Sequence, residues 1–259
     1  MSTPLIECRG VSVGYDHKPV LENVDLTIEQ GEIVALLGGS GCGKSTLLRS
    51  LTGLLAPLAG ELLILGQPLY DLPLDERNQL LRRTGTAFQQ DALFGSMSLA
   101  DNVALPLREL TQLPEAVIAE MVRMRLFMVG LPGQEAKLPT SMSGGQRKRA
   151  ALARASILDP VVMFCDEPSA GLDPAVAATI DATLLHFRSA LGITLVVVTH
   201  ELESIRTIAD RVVMFGRGSI MAGGTVDELM ASKDPDVFNF FHRVAEQADE
   251  GGALEQLTR

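Results

Sequence analysis

Residues 33–49 read IVALLGGSGCGKSTLLR: a short apolar run, a glycine-rich segment and the beginning of a helix-like segment. The central part fits the pattern GxxxxGK[ST], which binds nucleotide phosphates when it lies between a strand and a helix. Glycines let the loop curl so that successive backbone N–H groups point inward, and the positive end of the following helix adds to the attraction. We therefore predict a phosphate-binding loop formed by Gly38, Gly39, Ser40, Gly41, Cys42, Gly43, Lys44 and Ser45.

Two side chains of this loop have predicted roles of their own. Lys44 is expected to bridge the terminal phosphates as a point charge, and the Ser45 hydroxyl is expected to ligate magnesium. The alternative is a glycine-rich turn ahead of a surface helix. The order of strand, loop and helix favours the phosphate site.

The composition limits the class of protein. At 259 residues, 46% of them hydrophobic, the chain can form one large domain or a domain with a subdomain. Its net charge of −10 argues against nucleic acid as a partner. The apolar runs are shorter than the ~18 residues of a membrane helix, and no targeting signal opens the chain, so we expect a cytoplasmic protein. Three scattered cysteines, Cys8, Cys42 and Cys165, lack metal-ligand spacing and are interpreted as reduced.

The hydrophobic pattern predicts alternating strands and helices. Antiparallel strands are expected within the first thirty residues, and continuous apolar runs predict buried strands at 161–165 and 194–198. The segment 98–157 is predicted to be mainly helical. The expected helices of the chain span 74–83, 99–105, 114–129, the segment after Gln146, 174–191, 225–232 and 235–247.

Polar residues follow several of the predicted strands. Asp166 and Glu167 end a buried strand, at the edge where open α/β sheets bind ligands. Asp166 is predicted to hold magnesium through water, and Glu167 to polarise the water that attacks the γ-phosphate. Because neighbouring side chains of a strand point in opposite directions, the two carboxylates are expected to differ in role. Gln89 also follows a strand and is a candidate contact of the metal or the attacking water, although most glutamines at strand ends are solvated. His200 follows another strand and is a candidate contact of the γ-phosphate, although a lone histidine is usually structural.

Two helix beginnings and one tyrosine complete the candidate site. Ser143-Gly144-Gly145-Gln146 opens a helix and is either an anion-binding terminus or an ordinary cap. Asp173, before Pro174, is expected to cap the next helix. Tyr15 can stack on a nucleotide base, but a partly buried structural tyrosine fits the sequence equally well.

Taken in order, these motifs resemble the nucleotide-binding subunit of ATP-binding cassette (ABC) transporters over nearly the whole chain. The resemblance implies Tyr15 as the aromatic residue on adenine, residues 38–45 with adjacent Thr46 as Walker A, and Gln89 as the Q-loop glutamine that also contacts Mg²⁺. It implies residues 143–146 as the signature, with Met142 where leucine is more common. It further implies Asp166 as Walker B, Glu167 as the catalytic base, Asp173 as the D-loop aspartate and His200 as the switch histidine.

The resemblance also implies an architecture and an assembly. The fold is an α/β P-loop (RecA-like) core with a parallel sheet, an antiparallel β subdomain and an inserted helical subdomain. A single domain is expected over 1–249, with the β subdomain within 1–30 and 60–70, the core at 31–90 and 158–225, and the helical subdomain at about 95–157. C-terminal helices are expected at 225–247 and a flexible tail at 250–259. ATP and Mg²⁺ are held between Walker A of one subunit and the signature of the other in a homodimer, so Lys44, Gln89, Glu167 and His200 act with a signature in trans.

A narrower likeness bears on the transported substrate. Residues 93–94, 101–109, 111–114 and 234–237 are similar to the ATPase of Mla-type (MCE-associated) phospholipid transporters. That likeness implies integral membrane permease subunits and an MCE-domain substrate-binding protein as partners. It also implies a peripheral location on the cytoplasmic face of the inner membrane. Leu172 departs from the Mla ATPases, where glutamine stands, and the tail is shorter than theirs.

Other functions remain open at this stage. The ATPase of an amino-acid or metal importer, or of a lipoprotein-releasing machine, fits the same motifs. A soluble ABC ATPase of DNA repair or translation is disfavoured by the single cassette and the acidic charge. A GTPase or small-molecule kinase is disfavoured because the chain has no NKxD motif and carries the signature.

Overall fold

A computed structural model gives the structure of the protein and describes residues 4–242. The described strands are β1 Ile6–Tyr15, β2 Lys18–Ile28, β3 Ile33–Gly38, β4 Ala59–Ile64, β5 Gln67–Pro68, β6 Thr84–Ala87, β7 Val162–Asp166, β8 Thr194–Val198, β9 Arg211–Gly216 and β10 Ser219–Gly224. The described helices are α1 Lys44–Leu51, α2 Leu74–Leu81, α3 Leu99–Leu110, α4 Glu115–Met128, α5 Gly144–Ser156, α6 Pro174–Leu191, α7 Leu202–Ile208, α8 Val226–Met230 and α9 Pro235–His242.

The larger sheet has six strands in the order β10-β9-β3-β8-β7-β6. Its five strands from β9 to β6 are parallel, and β10 pairs antiparallel with β9 at the edge. Strands β3 and β8 are entirely buried, which explains their continuous apolar sequences. Because the strands are parallel, the segments that follow β3, β6, β7 and β8 emerge at the same edge of the sheet.

The smaller sheet is antiparallel and has the order β2-β1-β4-β5. Its inner face packs on one face of the larger sheet, and α1 contributes Leu47 and Leu51 to the same apolar core. Helices α3 to α6 cover the opposite face of the larger sheet, around Leu152, Leu184 and Phe187. The predicted fold class is confirmed: an α/β architecture with a parallel core and a separate antiparallel sheet.

Several predicted boundaries were wrong. Helix α3 continues through Pro106 to Leu110, although the pattern predicted an end at residue 105. Proline costs one intrahelical hydrogen bond, but Leu107 is buried in the core beyond it and holds the last turn in place. Strand β4 ends at Ile64, one residue before the end of the strand that the apolar pattern predicts at 60–65. Pro114 precedes α4 as its N-cap, although the pattern predicted it within the first turn of the helix. The predicted end of the last helix at residue 247 lies outside the described residues.

Helix α7 was missed altogether. It has seven residues and no side-chain cap, so it lacks a start signal. The spacing of its buried residues Leu202, Ile205 and Ile208 was the available indication. Over residues 4–242, no helix is both long enough and apolar enough to cross a membrane.

Strand β6, which leads into the Gln89 segment, lies against α5 with no room for a side chain at Gly85. A Cβ atom there would be 2.2 Å from the carbonyl oxygen of Ala155. We expect Gly85→Ala to lower the free energy of unfolding by about 1–3 kcal/mol, because the strand must move away from the helix. Urea unfolding followed by circular dichroism measures this change. In Gly95→Ala, where the new Cβ meets nothing closer than 3.8 Å, a loss of equal size would contradict the explanation.

Candidate active site

The predicted phosphate-binding loop lies between β3 and α1, the order of elements that the sequence pattern requires. Gly38 and Gly43 have φ angles of 146° and 102°, and Gly43 directly precedes α1. A Cβ atom would approach the carbonyl oxygen of Phe215 to 2.3 Å at Gly38 and Leu21 Cγ to 2.6 Å at Gly43. Both positions therefore need glycine, for conformation and for space. Since Gly43 offers no side-chain cap, the N–H groups of the first turn are left to bind an anion.

Lys44 is folded over this loop. Its buried Nζ donates to the carbonyl oxygens of Gly38 (2.8 Å) and Gly39 (2.9 Å). These contacts hold the ammonium group against the residues of the predicted phosphate-binding loop. A positive charge at this place complements a triphosphate.

A cavity of about 480 Å³ brings together three residues that are distant in sequence. Ser45 from α1, Gln89 from the segment after β6 and Asp166 from the end of β7 all line it. These are the three residues predicted at the magnesium site. Their hydroxyl, amide and carboxylate oxygens are the ligand types that Mg²⁺ prefers.

The acidic pair lies beside this cavity. Asp166 ends β7, and Glu167 follows it with a φ angle of 49°, so it has left the strand. The expected alternation of the two side chains therefore does not apply, since it holds only within a strand. Burial, and after it the charge of Glu167, raises the pKa of Asp166, whereas Arg49, Lys44 and Lys148 lower it. The net upward shift means that further positive charge at this site would favour the ionised form.

Glu167 and His200 form a pair across the ends of β7 and β8. His200 Nδ1 lies 2.8 Å from Glu167 Oε1, so a protonated Nδ1 donates to the carboxylate. The other oxygen, Glu167 Oε2, is buried and accepts no hydrogen bond from the described part of the chain, and the same holds for Asp166 Oδ1. Two carboxylate oxygens that lack partners among residues 4–242 can accept from water or substrate or ligate a cation.

The Ser143–Gln146 segment forms the beginning of α5. Ser143 Oγ accepts from the Gln146 backbone N–H, and Gln146 Oε1 accepts from the Ser143 N–H, a complete capping box. A Cβ atom at Gly145 would lie 2.3 Å from Val176 Cγ1, which explains the glycine by packing on α6. Helix capping and packing on α6 therefore account for Ser143, Gly145 and Gln146 without a bound anion. Gly144 lines a second cavity of about 480 Å³, together with Gln89 and Leu172.

The remaining predicted residues are Asp173, which precedes α6, and Tyr15, the last residue of β1. Asp173 accepts a hydrogen bond from the Val176 N–H and caps α6, as predicted. The Tyr15 side chain is exposed, and Arg49 Nη1 donates to its hydroxyl at 2.7 Å. The ring is thus accessible to a base, in contrast to a buried structural tyrosine.

The residues present fit a magnesium ion that is shared with phosphate groups. Among residues 4–242, no group of three or more His, Cys, Asp or Glu side chains can hold a metal alone. Asp166 offers a buried carboxylate oxygen without a hydrogen bond, and Ser45 and Gln89 line the same cavity. Mg²⁺ is commonly held by one or two protein oxygens, with phosphates and waters completing the shell.

Sequence reasoning missed two residues of this region. Arg49 contacts Tyr15, and Lys148 of α5 is buried with its amine between the Gln89 and Glu167 backbones. Lys148 stands in the basic run 147–149, where all three residues look alike. Helical spacing places the three side chains on different faces of α5, but only the fold shows which of them is buried.

The comparisons agree with this geometry. The family described as "ABC transporter" matches residues 21–170. The chain is 39% identical over 258 residues to the probable ribonucleotide transport ATP-binding protein mkl of Mycobacterium tuberculosis, covering 97% of this chain and 72% of that protein. It is also 39% identical over 245 residues to MlaF of Escherichia coli, the ATP-binding protein of an intermembrane phospholipid transport system. That alignment covers 93% of this chain and 90% of MlaF.

A solved structure gives the same result for the fold. The ATP-binding cassette MJ0796, in a dimeric post-hydrolysis state bound to ADP and phosphate, aligns with a TM-score of 0.78 and 30% sequence identity. The alignment covers 85% of this chain and 98% of that one. The fold of this chain therefore has a counterpart of known structure, and that protein was solved with ADP and phosphate bound.

Proposed function

This chain belongs to the ABC transporter family as an ATP-hydrolysing subunit, and we propose that it powers a membrane permease that moves phospholipid between bacterial membranes. The observation that carries the ATPase part of the proposal is the convergence of Ser45, Gln89 and Asp166 on one cavity, with the Glu167–His200 pair beside it. Ser45, Gln89 and Asp166 come from three different parts of the fold, and His200 follows a fourth element, β8, so no local role explains their meeting.

The proposed reaction is attack of water on the γ-phosphorus of ATP. Glu167 accepts a proton from the attacking water, the bond from the γ-phosphorus to the bridging oxygen breaks, and ADP leaves. His200 holds one oxygen of the Glu167 carboxylate, which leaves Oε2 for the water. The loop N–H groups and Lys44 stabilise the charge that develops on the phosphoryl oxygens.

Magnesium is part of the same proposal. Ser45, Gln89 and Asp166 would hold it, and when bound it neutralises charge on the phosphate oxygens. The raised pKa of Asp166 supports this arrangement, because a neighbouring cation removes the cost of keeping a buried carboxylate ionised.

We further propose a homodimer in which the Ser143–Gln146 segment contacts the triphosphate of the other subunit. The dimeric structures of MJ0796 support this assembly. The beginning of α5 carries no basic residue before Arg147, so its N–H groups are the anion-binding element. Hydrolysis by an isolated subunit is then slow, since half of the groups that position the phosphate are missing.

The proposed contact with the permease is an apolar groove beside the Gln89 segment. Phe88, Phe94, Leu105, Pro106 and Leu110 line a groove of about 670 Å³ between α2, α3 and the end of α5. Phe88 and Phe94 are large apolar side chains that both line this groove and are both exposed. Exposed aromatic side chains of this kind mark protein interaction sites.

We expect Phe94→Asp to abolish copurification of the permease in detergent, because a charge replaces an apolar residue that is 51% exposed in the isolated chain and is proposed to contact the permease. Nucleotide binding by the isolated subunit should stay unchanged. The matched control is Phe127→Asp, an exposed phenylalanine on α4 that lies outside this groove. Equal recovery of the permease with Phe94→Asp and wild type would remove the groove from the interface.

Phospholipid is the proposed substrate, and ribonucleotides are the competing one. The MlaF relatives favour phospholipid, whereas mkl is named for ribonucleotide transport at the same identity. The test is purification of the full complex in detergent, followed by mass spectrometry of bound lipid and measurement of ATPase stimulation by phospholipid or ribonucleotide. Bound phospholipid with lipid-stimulated turnover supports the proposal. Stimulation by ribonucleotides alone, or a copurified solute-binding protein for another small molecule, contradicts it.

Three further expectations belong to this proposal. The subunit lies on the cytoplasmic face of the inner membrane, bound to the permease. An MCE-domain protein presents the lipid to the complex. The division of residues 1–249 into β, core and helical subdomains stays a prediction, and limited proteolysis of the purified subunit addresses it.

A further inference from the structure

Lys148 lies where α5, the segment after β6 and the end of β7 meet. It belongs to α5, the residue is only 9% exposed, and it lines the cavity that Gln89, Gly144 and Leu172 also line. Nζ donates to the carbonyl oxygen of Gln89 at 2.6 Å and to that of Glu167 at 3.0 Å. It also lies 3.9 Å from Asp91 Oδ1. The Lys148 side chain therefore joins α5, the signature helix that begins at the Ser143–Gln146 segment, to the backbones of Gln89 and Glu167.

The Glu167 backbone is held in a conformation that needs support. Its φ angle of 49° is in the left-handed region, which is unfavourable for glutamate. The Glu167 N–H donates to the Val198 carbonyl at 2.8 Å, and the Glu167 carbonyl accepts from Lys148 Nζ at 3.0 Å and from the Ala170 N–H at 3.3 Å. Both peptide groups of this residue are thus fixed, so the direction of its side chain is set from β8 on one side and from α5 on the other.

The segment after β6 is fixed to α5 as well. Arg154 donates to the carbonyl oxygens of Asp91 (3.1 Å) and Ala92 (2.7 Å), and Arg147 Nε lies 3.3 Å from Asp91 Oδ2. Asp91 and Ala92 both have positive φ angles, so this segment does not hold its shape by backbone preference alone. Cations of one helix therefore determine where the Gln89 segment lies.

We propose that Lys148 is a positioning residue of the ATPase reaction: it ties the placement of Gln89 and Glu167 to the position of the signature helix. When α5 moves as its beginning engages a phosphate, Lys148 moves the two backbones with it. The inference rests on the proposed role of Glu167 as the base. It assigns to Lys148 no contact with nucleotide, water or metal.

The test compares full-length wild type with Lys148→Met, which keeps the length of the side chain and removes its donors. We expect kcat for ATP hydrolysis to fall about ten- to a hundredfold, because a small misplacement of a reacting group has an effect of this size. KM for ATP and the affinity of the subunit for a fluorescent ATP analogue should stay within about threefold. Lys148 does not line the cavity of Ser45 and Asp166, which is the reason for that expectation.

Arg149→Met is the matched control. Arg149 is on the same helix, and its guanidinium donates to the carbonyl oxygens of Val129 (3.0 Å) and Gly130 (2.9 Å), away from Gln89 and Glu167. Its loss should lower the unfolding temperature much as the loss of Lys148 does, while kcat stays within about twofold of wild type. If Lys148→Met does not fold, Lys148→Gln takes its place; its shorter amide is expected to lower kcat at least about threefold at unchanged affinity.

Wild-type kcat in a folded Lys148 variant would overturn the inference, and so would equal losses of kcat in the Lys148 and Arg149 variants. A parallel loss of nucleotide affinity would also overturn it, since a general structural role then explains the defect. The proposed function is tested separately by Glu167→Gln. An inactive Glu167→Gln together with an active Lys148→Met rejects only the role of Lys148.

Discussion

Replacing Glu167 with glutamine is expected to lower the rate of ATP hydrolysis by about 10²- to 10⁴-fold, the usual contribution of a general base. Glutamine has the same shape, but its amide does not accept a proton from water at neutral pH. The contact with His200 Nδ1 can be kept through the amide oxygen, so the end of β7 should keep its structure. ATP should still bind, because neither the phosphate loop nor Lys44 is changed.

The measurement is phosphate release under saturating ATP, combined with light scattering to follow ATP-dependent dimerisation. The variant should be inactive and should accumulate as a dimer. Glu203→Gln, an exposed glutamate on α7, serves as the control and should keep its activity within about twofold. Substantial turnover by Glu167→Gln would remove Glu167 as the base.

Lys44→Ala is expected to weaken ATP binding by about ten- to a hundredfold. Loss of a charged hydrogen bond has a cost of about 1.5–3 kcal/mol, and 1.4 kcal/mol corresponds to a factor of ten. The lysine also donates to two loop carbonyls, so its removal loosens the loop as well as deleting a charge. Both effects act in the same direction.

Titration calorimetry of the isolated subunit with ATP measures this affinity directly. Lys137→Ala is the control, because Lys137 is exposed and its side chain makes no hydrogen bond or ion pair with any residue in the described range 4–242. A thermal melt of both variants shows whether the fold is intact. Unchanged affinity in a folded Lys44→Ala would contradict the phosphate-loop assignment.

Features with a local cause could be predicted from the sequence. The glycines at 38 and 43, the strand before them and the helix after them all lie within one short stretch, and the φ angles of the two glycines favour glycine even without the distant contacts that also exclude a side chain there. Asp173 and Pro174 likewise specify the beginning of α6 within two residues. At these positions, the residue types that define the sequence pattern are the ones that the local backbone geometry requires.

Features that depend on distant contacts could not be predicted. The continuation of α3 through Pro106 depends on the burial of Leu107, which a local proline rule does not include. The importance of Lys148 depends on the meeting of α5 with the ends of β6 and β7. The Ser143–Gln146 segment shows a different difficulty, since a capping box and an anion site need the same residues.

The most direct test of the account is a cryo-EM structure of the Glu167→Gln variant trapped with ATP and Mg²⁺. We predict a head-to-tail dimer with two bound nucleotides. In each, Lys44 of one copy and Ser143 of the opposite copy contact the same triphosphate, and Asp166 faces the metal. A map in which Lys44 and Ser143 of opposing copies lie far from any common triphosphate would contradict it.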